Sequence, residues 1–172
     1  FKKIVRDGIT LVTGQTVTLD LNLQAGEIND VVTISGDSSI ADAGKTDLGR
    51  VMNTREVQNL PLITSNPYNF AFLQANVTGR PARGFPFTTI NANGYLRRVN
   101  FLLDGNTNTQ GDRGTLRFLL LSETYVSEVQ LLTNGFAAEF GNTPGLIMNV
   151  VTPSGTNKIS GSVNYRFRRP SF

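Results

Sequence analysis

The sequence predicts an α+β fold, in which a small mixed sheet with short helices follows a β-hairpin. Several short runs alternate apolar and polar residues with the period of two that is typical of half-buried strands. Two other segments carry helix start signals. Seventeen glycines among 172 residues indicate many turns. A chain of this length forms one ordinary domain, or a small domain together with a piece of another.

The composition limits the functions that the chain can have. A hydrophobic content of 39% with 17% charged residues is typical of an ordered chain. The net charge of +3 is small, and the arginines show no aromatic interleaving, so nucleic acid is not predicted as a partner. The chain has no His and no Cys, which removes the commonest general base, metal ligands and thiol nucleophile. We therefore predict no catalytic residue, no metal and no cofactor, and expect a protein that is not an enzyme.

Residues 1–26 predict two strands joined by a turn. Ile9 to Val12 form the first strand and Gly14-Gln15 the turn. Residues 16–23 (TVTLDLNL) then alternate as a strand with one buried face. The short β-branched segment DVVTIS at residues 30–35 and a polar stretch rich in Gly and Ser follow, which is typical of a linker. A domain boundary is therefore predicted between residues 26 and 46.

Two short helices are predicted after this boundary. The first covers residues 53–60, because Asn53 suits the N-cap, Glu56 completes a capping box and Pro61 ends the helix. The second begins at residues 65–67, where Asn66 suits the cap and Pro67 the first turn. Its Phe70 is expected on the same side as Leu73.

The remaining segments read as strands separated by polar loops. Residues 78–94 and 106–116 are loop-like. Asp104-Gly105 is predicted to form a turn after the strand Val99 to Leu103. The alternation at residues 158–168 has the roughly 9–11 residues of an outer-membrane barrel strand, although a soluble amphipathic strand has the same pattern. The predicted strands are Val99 to Leu103, Val126 to Leu132, Leu146 to Val151, which is buried on both faces, and Lys158 to Arg168.

Four of these segments, in this order, resemble the plug region of TonB-dependent outer-membrane receptors, and most of all the Oar-like group. They are NLPLITSNPYNFAFLQANVTG, INANGYLRRVNFLLDGNTN, VSEVQLLTNGFAAEFGNTPGLIMNVVTPSGTN and SGTNKISGSVNYRFRR. Each piece is weak alone, but together they cover roughly residues 50–170. The chain departs from the family pattern in three turns: Leu146 follows Gly145 where a second Gly is usual, Pro153 replaces a basic residue, and Asn76-Val77-Thr78 replaces a Pro-Gly-Val turn.

The resemblance implies four parts. Residues 1–26 are expected to end a carboxypeptidase-regulatory-like β-sandwich, which is not catalytic, and residues 27–49 to hold a TonB-box-like segment and a linker. Residues 50–156 are expected to form the plug, and residues 157–172 the first strand of a transmembrane β-barrel. The chain begins without Met inside a β pattern and ends directly after an alternating strand. We therefore expect a piece of a longer protein.

The resemblance also implies a function: gated uptake through a barrel in the outer membrane of a Gram-negative-type bacterium, with the N-terminal part in the periplasm. The implied partners are the C-terminal domain of TonB and the chain's own β-barrel. The substrate classes considered are a glycan, a peptide and a metal chelate. A second hypothesis is a β-rich binding or structural module that assembles at the cell surface, with residues 158–168 as its adhesive edge.

Two candidate surfaces follow. The first could bind TonB by strand addition, although a plain sheet strand explains the same pattern; its residues are Asp30, Val31, Val32, Thr33, Ile34 and Ser35. The second lies in loops that the resemblance places on the substrate side, although a connector role is favoured for any single residue. Its candidates are Arg80, Arg83, Phe85, Tyr95, Arg97, Asn106 and Asn108. Asp104 is expected to serve only as a turn residue.

Overall fold

The chain forms two compact units, Phe1–Asp47 and Leu48–Phe172. The computed structural model describes residues 3–7, 9, 11, 13, 17–19, 21, 25, 31–35, 48–61, 64, 66–81, 89–111, 116–159, 161, 163, 165 and 167. Each unit has its own sheet, or sheets, and is described by itself.

The first unit contains strands β1 (Lys3–Asp7) and β2 (Val31–Ser35). They pair in parallel, with Lys3 opposite Val31 and Asp7 opposite Ser35. This differs from the predicted hairpin, since residues 17–19 and 21 lie outside strands. Alternation of apolar and polar residues indicates that a segment suits a sheet, but it does not determine which strand lies next to it. The ladder also joins residues on both sides of the boundary expected after residue 26.

The second unit contains a five-stranded and a three-stranded sheet. The larger sheet has the order β3-β9-β10-β7-β8, in which only the β10–β7 pair is parallel. The smaller sheet, β4-β5-β6, is antiparallel. The strands are β3 (Leu48–Met52), β4 (Val77–Arg80), β5 (Thr89–Ala92), β6 (Tyr95–Leu96), β7 (Val99–Leu103), β8 (Asn106–Thr107), β9 (Glu128–Asn134) and β10 (Leu146–Val151). Helix α1 is Thr54–Asn59, and 3-10 helices span Pro67–Leu73, Glu123–Tyr125 and Ala138–Phe140.

Strand β10 is the centre of the larger sheet and confirms the strand predicted to be buried on both faces. Leu146, Met148 and Val150 belong to the main core. Ile147 faces the other way, into a smaller apolar cluster with Leu102. Burying such side chains stabilises the fold by about 1.5–3 kcal/mol each, so this strand holds both faces of the sheet together.

The predicted capping box of helix α1 is present. Asn53 Oδ1 accepts a hydrogen bond from the Glu56 N–H at 3.1 Å, and Glu56 Oε2 accepts one from the Asn53 N–H at 3.1 Å. Arg50 Nη2 also donates to Glu56 Oε1 at 2.6 Å. The hydrogen bond from Arg50, followed by the one from the Asn53 backbone, lowers the pKa of Glu56 below its ordinary value.

The second predicted helix is a 3-10 helix. Asn66 Oδ1 accepts from the Tyr68 N–H at 3.1 Å, and Pro67 occupies the first turn, as expected. Phe70 is fully buried, whereas Leu73 is 51% exposed. Leu73 is less buried than Phe70 because it is the last residue of the helix, and the expectation that the two side chains share one side stays a prediction.

The segment after β10 contains no strand in its described residues, 152–159, 161, 163, 165 and 167. Its apolar side chains Ile159, Val163, Tyr165 and Phe167 are all largely exposed. The barrel strand expected at residues 158–168 stays a prediction. Among the described residues, no helix has the length and apolar character needed to cross a bilayer.

Candidate functional site

The candidate partner segment lies in a ladder. Strand β2 covers residues 31–35, and its backbone pairs with β1 in parallel register. Asp30 lies outside the described residues. One edge of the segment is thus occupied by the chain itself. This arrangement matches the sheet-strand alternative, while binding to TonB stays a prediction.

The small sheet carries three of the candidate substrate residues. Tyr95 and Arg97 belong to the β5–β6 hairpin and its end, and both are exposed. The turn is Asn93-Gly94, with φ values of 53° and 81°, as the Asn-Gly dipeptide of a tight hairpin requires. Arg80 ends β4, opposite Thr89. Arg83 and Phe85 lie outside the described residues.

The β5–β6 hairpin is attached to the larger sheet through its turn residue. Asn93 Nδ2 donates to Thr133 O at 2.5 Å and to Gly145 O at 3.3 Å. Next to it, Arg98 O accepts from Thr143 Oγ1 at 2.8 Å. Gly145 lies against this carbonyl so closely that a Cβ would overlap it. The turn of the β5–β6 hairpin is therefore fixed to the C-terminal end of β9 and to Gly145, which precedes β10.

The β7–β8 hairpin ends at Asp104-Gly105, with φ values of 50° and 78°. Asp104 forms the expected turn, but its carboxylate also binds Thr152: Oδ1 accepts from the backbone N–H at 2.8 Å and Oδ2 from the hydroxyl at 2.9 Å. Asn149 Oδ1 accepts from the Gly105 N–H at 3.1 Å. The turn thus holds the residue at which the chain leaves β10. Asn106, in the same hairpin, is exposed.

Asn108 does not lie on the loop surface where it was expected. It is buried, and its amide bonds the backbone of Leu119 in both directions, with Leu119 N–H to Oδ1 at 2.8 Å and Nδ2 to Leu119 O at 3.1 Å. Its Nδ2 also donates to the Tyr68 hydroxyl at 3.0 Å. An amide that is used in this way inside the fold has no group left for a substrate, so Asn108 is a structural residue.

Arg117 is a buried cation that the sequence did not reveal. It is 3% exposed, and its guanidinium carbon lies 4.2 Å from the centre of the Tyr68 ring and 5.2 Å from that of Phe101. Burial lowers the pKa of Arg117 and raises that of Tyr68. The aromatic faces replace part of its hydration. In the sequence Arg117 lies within the apolar run LRFLLL at residues 116–121, but no local pattern indicated which aromatic rings would cover its guanidinium.

An exposed apolar run follows Arg117. Phe118, Leu119 and Leu120 are 65%, 57% and 46% exposed, although Asn108 fixes the backbone of this run. An open groove of about 630 Å³ lies elsewhere on the unit, beside β7 and β8; its lining includes Asn100, Thr107, Glu139 and Phe140. Neither surface was predicted. The described residues include no group of three or more acidic side chains that could hold a metal ion.

Comparison with known proteins shows which proteins the chain is similar to. No family model matches the chain. A curated protein is 26% identical over 166 residues, which cover 95% of this chain. This match agrees with the resemblance found in the sequence motifs: the chain is similar to a plug-like region of TonB-dependent receptors. The curated relative is the TonB-dependent transporter Oar of Myxococcus xanthus, of whose length the chain spans 16%.

Two solved structures are also similar to the chain. The siderophore receptor PirA from Pseudomonas aeruginosa is 16% identical, with a TM-score of 0.46 over 64% of this chain and 19% of that receptor. PirA from Acinetobacter baumannii is 17% identical, with a TM-score of 0.43 over 68% of this chain and 19% of that receptor.

Proposed function

We propose that the chain is the plug of a TonB-dependent outer-membrane transporter and gates energy-coupled uptake of a substrate through a β-barrel. The observation that carries this proposal is the match to a TonB-dependent transporter along 95% of the chain. The relative is a transporter and not an enzyme, which agrees with the absence of His and Cys. In this function the plug blocks the barrel lumen, and pulling by TonB rearranges it.

The proposed orientation puts the first unit in the periplasm and the β5–β6 hairpin on the substrate side. The hairpin presents Tyr95 and Arg97, while Arg80 lies at the far end of β4. A phenol ring and guanidinium groups suit a polar ligand with acceptor oxygens, such as a glycan, a peptide carboxylate or a metal chelate. Asn106 is exposed on the other hairpin and remains a candidate. Arg83 and Phe85 belong to the same proposed surface by sequence alone.

TonB is the proposed partner of residues 30–35. In the described part of the chain, β2 pairs with β1 on one edge, which leaves its other edge for a partner strand. Val32→Pro removes one backbone donor from β2 and should abolish binding of the TonB C-terminal domain, measured by calorimetry on the full chain. Val5→Pro is the matched control in β1, which lies in the same ladder. Unchanged affinity of Val32→Pro would reject the assignment and leave β2 a sheet strand.

The function itself is tested in the full-length protein in its own membrane. Deleting residues 48–151 should remove energy-coupled uptake while the outer-membrane protein is still assembled. An intact uptake activity in the deletion variant would overturn the proposal. Immunodetection of the protein in the outer-membrane fraction is the control, since a missing protein would also abolish uptake.

A second candidate function is a cell-surface assembly module. It is favoured by the exposure of Ile159, Val163 and Tyr165 after β10, because exposed apolar side chains in an alternating segment promote association between chains. In that case the chain should self-associate, and Val163→Lys with Tyr165→Lys should return it to a monomer in sedimentation analysis. Monomeric wild-type chain at high concentration excludes this function.

A further inference from the structure

We propose that Thr133 couples the β5–β6 hairpin to Leu48, the first residue of the second unit, so that a ligand on the hairpin changes how firmly β3 is held. This inference rests on the proposed function, because it supplies a path from the substrate side to the segment that precedes β3. It names Thr133 as a positioning residue. Thr133 contacts no ligand in this scheme.

The coupling is carried by two hydrogen bonds to different groups of Thr133. Its carbonyl accepts from Asn93 Nδ2 at 2.5 Å, and its hydroxyl donates to Leu48 O at 3.0 Å. One residue of β9 thus joins the turn of the small sheet to the first residue of β3. These three residues are far apart in sequence, and only the fold brings them together.

Thr133 can make both bonds because it lies at an irregularity of the sheet. Leu48 is opposite Asn134, but Gly49 is opposite Leu132, so the register passes over Thr133. This is the arrangement of a β-bulge, in which the extra residue is freed from the ladder and can be aimed elsewhere. Gly49 then lies so close to the β9 backbone that a Cβ would overlap Leu131 O. The bulge and the glycine together fix where β3 begins.

The position of β3 makes the start of this strand depend on the hydrogen bond from Thr133 to Leu48 O. It is an edge strand with β9 as its neighbour, and Leu48 is 63% exposed. Its first residue is therefore largely open to solvent and is held by its ladder partner Asn134 and by the hydrogen bond from Thr133. On the other side, the Asn93 side chain bonds Thr133 O, and Tyr95 of the same hairpin is exposed. A ligand that displaces the hairpin acts on Asn93, then on Thr133, and then on Leu48.

Hydrogen exchange followed by mass spectrometry on the full chain tests the coupling without a ligand. Asn93→Gly keeps the positive φ of the turn and removes the side-chain bonds. It should raise exchange in the peptide covering residues 48–52 by about 2- to 10-fold, the effect of one lost hydrogen bond. Thr133→Val removes the hydroxyl and should raise exchange there by a similar factor. Thr133→Ser, which keeps the hydroxyl, should retain wild-type exchange.

The double variant decides between coupling and two local effects. In the Thr133→Val background, Asn93→Gly should cause no further increase in β3, because the bond to Leu48 is already absent. Thr143→Val is the matched control: it removes another hydroxyl, bonded to Arg98 O, and should leave β3 exchange unchanged. Multiplicative effects in the double variant, or no effect of Asn93→Gly on β3, would overturn the proposal. Since the experiment uses neither TonB nor a membrane, its failure is distinct from a failure of the uptake test.

Discussion

The Asp104 carboxylate provides the sharpest test of how the second unit is closed at the end of β10. It binds both the N–H and the hydroxyl of Thr152, so Asp104→Asn and Asp104→Ala should both destabilise the unit, and to different degrees. Asparagine tolerates the φ of 50° but replaces one acceptor oxygen by a donor. Hydrogen bonds to a charged group contribute about 1.5–3 kcal/mol, and the exposure of this pair places the loss at the low end, about 1.5 kcal/mol for Asn.

Alanine loses both bonds and also adopts the left-handed region at a cost of about 1–2 kcal/mol. We therefore expect a loss of about 4–5 kcal/mol for Asp104→Ala. At a typical urea slope of about 1–3 kcal/mol per M, this moves the unfolding midpoint by more than about 1 M. Urea unfolding followed by circular dichroism measures both variants, with Asn106→Ala in the same exposed hairpin as the control. If Asp104→Ala unfolds within about 0.5 kcal/mol of the wild type, the typical scale of a neutral surface change, the carboxylate does not hold Thr152 in solution.

Three further variants test the interior and the helix cap. Arg117→Met should be neutral or stabilising, because Met fills the space over Tyr68 without burying a charge. Arg117→Ala should lower the free energy of unfolding in denaturant by about 3 kcal/mol or more. Equal losses for both variants would contradict this. Asn108→Ala leaves the Leu119 backbone groups without their partner and should lower the free energy of unfolding by about 2–3 kcal/mol. A change below about 0.5 kcal/mol, the scale of surface substitutions, would show that the amide hydrogen bonds do not form. Glu56 has a lowered pKa, so its contribution is present above its ordinary value of 4.5 and is lost as pH falls through the lower folded value. Glu56→Gln should remove this acid dependence, which is small at about 0.5 kcal/mol because the Arg50–Glu56 pair is exposed. Identical pH profiles of stability in the wild type and the variant would refute the prediction.

The parts of the fold that could be predicted depend on neighbours in sequence. The capping box at Asn53 and Glu56 spans one helical turn, and the Asp104-Gly105 turn spans two residues, so both were visible in the sequence. The burial of β10 was visible because an unbroken apolar run has few alternatives. In the first unit the alternation at residues 16–23 was read as a hairpin strand, yet the ladder joins β1 to β2. Strand pairing is decided by contacts that a local pattern does not contain.

The parts that could not be predicted depend on contacts between distant residues. Asn108 lies in a polar stretch and was assigned to a substrate loop, but its partner Leu119 makes it an interior residue. Arg117 is buried against Tyr68 and Phe101, which come from other elements and supply two ring faces. Thr133 has no sequence signal at all, since a bulge is visible only once the register of β3 and β9 is known. The candidate substrate surface therefore loses Asn108 from its loops, while the Asn93-Gly94 turn beside Tyr95 is defined by its contacts with the larger sheet.

Passive permeability of the full-length protein tests the central claim most directly, because it requires no knowledge of the substrate. The intact protein and a variant lacking residues 48–151 are reconstituted into liposomes, and the entry of a small hydrophilic dye is followed. If the region is a plug, the intact protein should exclude the dye and the deletion variant should admit it rapidly. Equal dye entry through both proteins, with equal amounts of folded barrel, would contradict the assignment of this chain as the gate.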